Sequence, residues 1–225
     1  MIKAVLFDFI GTTVKEADPD VINNCFESAF ADNNIPVNIA ALKKERGKDK
    51  KIIIENVLRS RQVPLSLIEG IYSSFKKNVI SNIDKFGEND GTRDIFLYLR
   101  EKKIKTCIGT GLERDVFERI CQYLEWENTW FDYIGIANET GRSRPYPDMI
   151  FDMMDKLKLV NTNDILKTGD TVADIQEGKN AKVLTAVILS GTQPKATLLK
   201  EKPDFVLTSL SDIKDIIEGK TAGKQ

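Results

Sequence analysis

From Ala4 to Ile10 the chain is an apolar run too short for a helix, broken only by Asp8 and followed directly by Gly11 and Thr12. A run of this kind reads as a β-strand buried on both faces of a parallel sheet. The pattern returns at residues 104–109, ending at Thr110 and Gly111, then at 131–137 and at 164–168, ending at Gly169 and Asp170. Residues 183–189 and 205–207 repeat it twice more. Helical spacing fills the intervals: 94–100, the stripe Val116, Phe117, Ile120 and Leu124, then 148–157 and 175–181. Strands alternating with single helices predict a doubly wound, mostly parallel, Rossmann-like α/β sheet.

One interval does not fit a single-helix crossover. Val21, Ile22, Cys25, Phe26, Ala29 and Phe30 recur at helical spacing after an Asp18-Pro19 start signal. Ile35-Pro36 breaks that run, and a short helix over 38–45 follows, interrupted by Gly47. A third helix over 49–59 has Ile52, Ile53, Val57 and Leu58 as its apolar stripe. Pro64 opens a fourth, with Leu67, Ile68, Ile71, Tyr72 and Phe75. Roughly sixty residues without a strand are too many for one crossover. The expected division is a helical cap over 14–84 inserted into an α/β core of residues 1–13 and 85–225. The polar tail 219–225 is expected to fray.

Composition narrows the chemistry. With 33 basic and 34 acidic residues and a formal net charge of −1, the chain offers no case for a nucleic-acid-binding surface. No apolar run reaches membrane-spanning length and no secretory leader pattern is present, so a cytoplasmic protein without membrane association is expected. The three cysteines, Cys25, Cys107 and Cys121, are unspaced and read as reduced. The chain contains no histidine, which removes imidazole base catalysis and makes a zinc site improbable. Any enzyme here works with carboxylates, lysines, hydroxyls or a hard metal.

Open α/β sheets carry their chemistry beyond the carboxyl ends of the strands, which nominates Asp8 as a reacting or metal-binding group, or simply as a strand-end cap. Asp170 ends another strand, and Asp174 falls in the first turn of the next helix, where exposed amides favour an acidic side chain. The pair is either a structural cap or, beside Asp8, a set of oxygen ligands of the kind Mg²⁺ prefers. Thr110 could donate to an anion or serve as an N-cap. Arg142 and Arg144, near Pro145 and Pro147, could neutralise phosphate oxygens or form a solvated charge pair.

Taken together and in this order, the stations Asp8 to Thr12, Thr110, the basic residue beside Pro145, and Gly169-Asp170-Thr171 through Asp174 resemble the haloacid dehalogenase superfamily of hydrolases. The helical insert resembles that superfamily's cap domain. The resemblance implies that Asp8 attacks phosphorus to form an aspartyl-phosphate, which water then hydrolyses. It implies Mg²⁺ held by Asp8, the backbone carbonyl of Ile10 and Asp170, with Asp174 in support. Thr110 and Arg144 would hold the phosphoryl oxygens, with Thr12, Gly111 and Arg142 as further phosphate-binding candidates. Most members have lysine where this chain has Arg144. The implied partner is a small phosphorylated or phosphonate metabolite; the sequence leaves a homodimer possible.

Ile10 departs from the superfamily's phosphatases, which carry an acid–base aspartate there; isoleucine can neither protonate a leaving oxygen nor activate water. At this point the chain resembles the phosphonoacetaldehyde hydrolase branch, with Gly11-Thr12-Thr13 continuing the motif. In that branch a cap lysine three residues beyond a glycine forms a Schiff base with the aldehyde, and Gly47-Lys48-Asp49-Lys50 nominates Lys50. Neighbouring Lys48 and Lys51 are expected to depress its pKa. The branch's cap histidine is missing, the region reading Lys51-Ile52-Ile53-Ile54. A charge run such as this is also what a solvated helical face looks like. Two other functions fit the same residues: a phosphomonoesterase that replaces the absent acid, and a non-catalytic binding protein that keeps the fold.

Overall fold

The structure, a computed structural model, describes residues 1–18 and 20–220. Pro19 of the helix start signal and residues 221–225 of the expected frayed tail lie outside the described residues. The chain opens with β1 (Ala4–Asp8) and β2 (Val14–Glu16), then runs through α1 (Val21–Ala31), α2 (Ile39–Lys44), α3 (Lys50–Ser60) and α4 (Ile68–Ser81). Then come β3 (Phe86–Glu88), α5 (Thr92–Glu101), β4 (Lys105–Thr110), α6 (Arg114–Tyr123), β5 (Tyr133–Ile136) and α7 (Asp148–Lys156). The last part comprises β6 (Ile165–Gly169), α8 (Val172–Ala181), β7 (Leu184–Ile188), α9 (Lys195–Lys200), β8 (Phe205–Leu207) and α10 (Ile213–Ile217).

Six strands form one sheet in the order β5-β4-β1-β6-β7-β8, every pair parallel. All five residues of β1 are buried, as expected for a central strand covered by helices on both faces. One face carries an apolar cluster with Phe7, Phe96 and Ile108; the other carries Leu6, Cys107, Met149 and Ile150. The strand order reverses at β1: the chain moves outward through β4 and β5, then returns to β6 on the other side. The carboxyl end of β1 is therefore the crevice where an open α/β sheet binds its ligand. Register sets Asp8 beside Gly109 and Phe7 beside Thr168, so Asp8 and Asp170 emerge at the same edge.

The strands expected at 131–137 and 183–189 are shorter at both ends. Residues Asn128–Trp130 form a 3-10 turn before β5, and the Asp132 carboxylate accepts the Thr106 N–H at 3.0 Å. The α3 stripe is also displaced. Lys50, Ile53, Ile54 and Leu58 face inward, Lys50 and Ile53 onto a cavity they share with Ile22 and Phe26 of α1, whereas Ile52 is 38% exposed. Neither β2 nor β3 is foreshadowed by the hydrophobic pattern; they pair antiparallel as Val14 with Glu88, Lys15 with Gly87 and Glu16 with Phe86. The α1–α4 segment leaves and returns through this ribbon. Asn89 ties it to the loop after β1, donating Nδ2–H to the Thr12 carbonyl at 2.8 Å and its backbone N–H to the Thr13 carbonyl at 2.9 Å. No helix among the described residues is long and apolar enough to cross a membrane.

Candidate active site

Asp8, Asp170 and Asp174 converge, with one carboxylate oxygen from each within 4.8 Å of the others, all buried. Each is placed by a separate device. Asp8 is carried by the last residue of β1. Asp170 follows β6 and is fixed by three donors: the Thr12 hydroxyl at 3.2 Å, the Thr192 N–H at 2.7 Å and the Thr192 hydroxyl at 2.5 Å. The backbone must crowd this carboxylate; a Cβ on Gly191 would lie 2.1 Å from that of Asp170. Asp174 closes a capping box on α8 with Thr171, so its role as a helix cap and its place in the cluster coexist.

Burial and the two neighbouring carboxylates push Asp170 up to about 7. Burial also raises Asp8, with Asp174 adding to it and Arg144 opposing. Asp174 goes the other way, because Lys167 and Arg144 outweigh the effect of its burial. Three crowded, desolvated carboxylates that offer only oxygen suit a hard divalent cation, whose charge would relieve their repulsion.

Arg144 is 4% exposed and reaches into this cluster. Its Nη1–H donates to Asp8 Oδ1 at 2.5 Å and to the Gly47 carbonyl at 3.2 Å, and its Nη2–H to the Gly109 carbonyl at 2.8 Å. Arg142, the rival, is not at the site: its side chain is 65% exposed, pairs with Asp148 at 3.0 Å and lies over the Tyr146 ring. Two positions along an irregular loop separate an exposed guanidinium from a buried one. Thr12 is spent on Asp170. Thr110 lines the cavity with Asp8 and Gly111, and its hydroxyl accepts the Leu112 N–H at 3.1 Å, shaping the turn; α6 begins later, after Glu113.

The loop 47–50 is seated on these groups. Gly47 has φ +87°, and a Cβ there would come within 2.3 Å of the Thr171 hydroxyl. Asp49 donates its N–H to the Ser143 hydroxyl at 2.9 Å and caps α3 with its carboxylate. Lys50 follows, buried, its Nζ donating to the Lys48 carbonyl at 3.1 Å beside Gly111. Burial, helped by Arg46, lowers its pKa to about 8 against the pull of Asp8 and Asp49. The expected cause, Lys48 and Lys51, is not the operative one. Lys48 is paired with Glu45 at 2.9 Å and Lys51 with Glu69 at 3.0 Å. Asp8, Ile10, Lys50, Thr110 and Arg144 line one cavity of about 20 Å³, little more than one water occupies.

Three members escaped the sequence reading. Lys167, 1% exposed on β6, lies 2.8 Å from Asp174; Glu177, fully buried on α8, accepts from Arg144 Nε at 3.0 Å. Arg46, paired with the buried Glu16 side chain, lines the cavity near Lys50. The only sequence signals were a lysine inside an apolar strand and a glutamate three residues after Asp174 on one helix face.

A model of haloacid dehalogenase-like hydrolases matches residues 5–188. The phosphonoacetaldehyde hydrolase of Bacillus cytotoxicus is 23% identical over 229 aligned positions, covering 96% of this chain and 86% of that protein. The enzyme of the same name from Lactiplantibacillus plantarum is 28% identical over 206, covering 85% and 77%. A hydrolase from Pseudomonas syringae superposes with a TM-score of 0.86 at 16% identity, over 98% of this chain and 100% of that one, a likeness of fold alone.

Proposed function

The chain belongs to the haloacid dehalogenase-like hydrolases, and from that premise we propose that it cleaves the carbon–phosphorus bond of phosphonoacetaldehyde or a closely similar phosphonate aldehyde. The observation that carries this reading is Lys50: a buried amine with its pKa lowered to about 8, in one cavity with Asp8, while the acid–base position holds Ile10. An exposed lysine near pKa 10.4 would be almost fully protonated at neutral pH and a poor nucleophile. A two-carbon phosphonate aldehyde would bring its carbonyl to Lys50 while its phosphoryl group meets Asp8, Arg144 and Thr110.

The neutral Lys50 amine adds to the aldehyde carbon; with one proton taken up from solvent, water leaves and a protonated imine remains. Asp8 attacks phosphorus, the carbon–phosphorus bond breaks, and its electron pair moves into the iminium to give an enamine. No acid is needed at Ile10, because the leaving group is carbon already activated as an electron sink. Protonation at carbon and hydrolysis return acetaldehyde and the free amine. Water then releases phosphate from the aspartyl-phosphate, restoring the Asp8 carboxylate. Arg144 neutralises the phosphoryl oxygens throughout. Asp8, Asp170 and the Ile10 carbonyl, supported by Asp174, would hold Mg²⁺, which when bound supplies further positive charge at the phosphoryl group. In this reading α1–α4 form a cap that opens at the β2–β3 ribbon to admit substrate and closes to exclude water.

Borohydride added with phosphonoacetaldehyde should trap one reduced adduct on Lys50, located by peptide mass analysis. Lys50→Arg should lose both trapping and turnover although it keeps the charge. Lack of an adduct, or an arginine variant that still hydrolyses the compound, would replace this reading with a phosphatase in which Lys50 only binds substrate.

A further inference from the structure

A guanidinium presents five N–H groups on a rigid plane, so its direction is set only when more than one edge is held. Arg144 is held on two edges apart from the one that faces Asp8. Nη2 is fixed by the Gly109 carbonyl at 2.8 Å and Nε by Glu177 Oε2 at 3.0 Å. We propose that Glu177 is a positioning residue for phosphoryl binding, holding the Arg144 plane so that Nη1 is delivered to Asp8. The proposal rests on the reading above only in taking Arg144 as the phosphoryl-binding cation.

Among the described residues, the charged partners of Glu177 are Arg144 and Lys167. Glu177 is fully buried, lies one helical turn beyond Asp174 on α8, and caps nothing. An ionised carboxylate in that position is costly unless cations surround it. Arg144 is one; Lys167 Nζ, 3.4 Å from Glu177 and 2.8 Å from Asp174, is the other. The arrangement depends on residue 144 being arginine. A lysine ammonium has no Nε and no plane to orient, and would leave Glu177 without this partner. Arginine, carboxylate and Lys167 therefore form one unit beneath the three aspartates.

The test is a double-mutant cycle read by calorimetric binding of inorganic phosphate in the presence of Mg²⁺, with melting temperature recorded for each variant. Glu177→Gln replaces a charge-assisted bond with a neutral one and should weaken phosphate binding about tenfold in the Arg144 background. In the Arg144→Lys background the same change should alter binding less than about twofold, since no Nε remains to be held. Glu177→Asp, which keeps the charge beside Lys167 but withdraws it from Nε, should show the same background-dependent loss, and it serves if the glutamine variant does not fold. Equal losses in both backgrounds, tracking the melting temperature, would reduce Glu177 to a structural charge and overturn the proposal. Undiminished phosphate binding in either Glu177 variant with Arg144 present would also overturn it. Phosphate affinity unchanged by Arg144→Ala would instead sink the assignment of Arg144, and the role of Glu177 with it; neither result depends on which substrate the enzyme hydrolyses.

Discussion

Asp8 and Lys50 face each other across one small cavity with their protonation equilibria shifted by burial in opposite senses, and this asymmetry gives two expectations. The raised pKa of Asp8 means that its ionised form is less favourable in the fold than in the unfolded chain. Asp8→Asn should therefore not lower the metal-free melting temperature, while loss of the nucleophile should cut turnover by roughly four orders of magnitude or more. Parent-like phosphate release from that variant would remove Asp8 as nucleophile. Lys50 carries a stability cost of its own. Between its folded value of about 8 and its ordinary value of 10.5, the unfolded chain binds the proton that the folded chain has released. Stability then rises with pH across that window, and the full cost of burying the ammonium applies below it. Lys50→Met should be more stable than the parent by on the order of 3 kcal/mol at pH 6, the gain shrinking as pH rises from 8 to 10.5. Denaturant melts at pH 6 and pH 10.5 with the same difference would contradict this.

Among the elements, the short loop 47–50 matters most, because it ties α3 to the strand edge through the Gly47 carbonyl on Arg144 and the Asp49 N–H on Ser143. Gly47 is required twice over: its φ of +87° disfavours a side chain, and a Cβ would collide with the Thr171 hydroxyl. Gly47→Ala should cost about 1 kcal/mol or more of stability and lift the lysine loop, slowing both turnover and borohydride trapping. Parent-like kinetics in that variant would mean that the loop's seat is not part of the site. The β2–β3 ribbon is the element the sequence concealed. Three residues per strand are too few for a period of two to register. Glu16 looks like a surface residue, yet its side chain is 2% exposed, held by Arg46 and by the Ile22 N–H. Only the meeting of chain segments far apart in sequence makes it internal.

Across the whole molecule, the three aspartates should make a divalent cation a stabilising ligand. At a hundred times its dissociation constant, Mg²⁺ should add about 2.7 kcal/mol, read as a rise of about 5–10 °C in melting temperature, and Asp170→Ala should abolish that rise. Identical melting curves in Mg²⁺ and in chelator would rule out the cluster as a metal site. The α/β class and the placement of Asp8, Thr110 and Asp170 at strand ends, with Asp174 in the first turn of the next helix, were legible in the sequence alone, because hydrophobic period and strand-end residues are local properties of the chain. Tertiary structure decided what depends on distance and burial. It separated Arg144 from Arg142, although both lie near the same prolines, by burying one guanidinium and leaving the other exposed. It attributed the lowered pKa of Lys50 to desolvation and Arg46, because nearby lysines in sequence found acidic partners of their own. It brought Lys167 and Glu177 beneath the site from an apolar strand and a helix, since a buried charge is recognised only once its partners have been assembled around it.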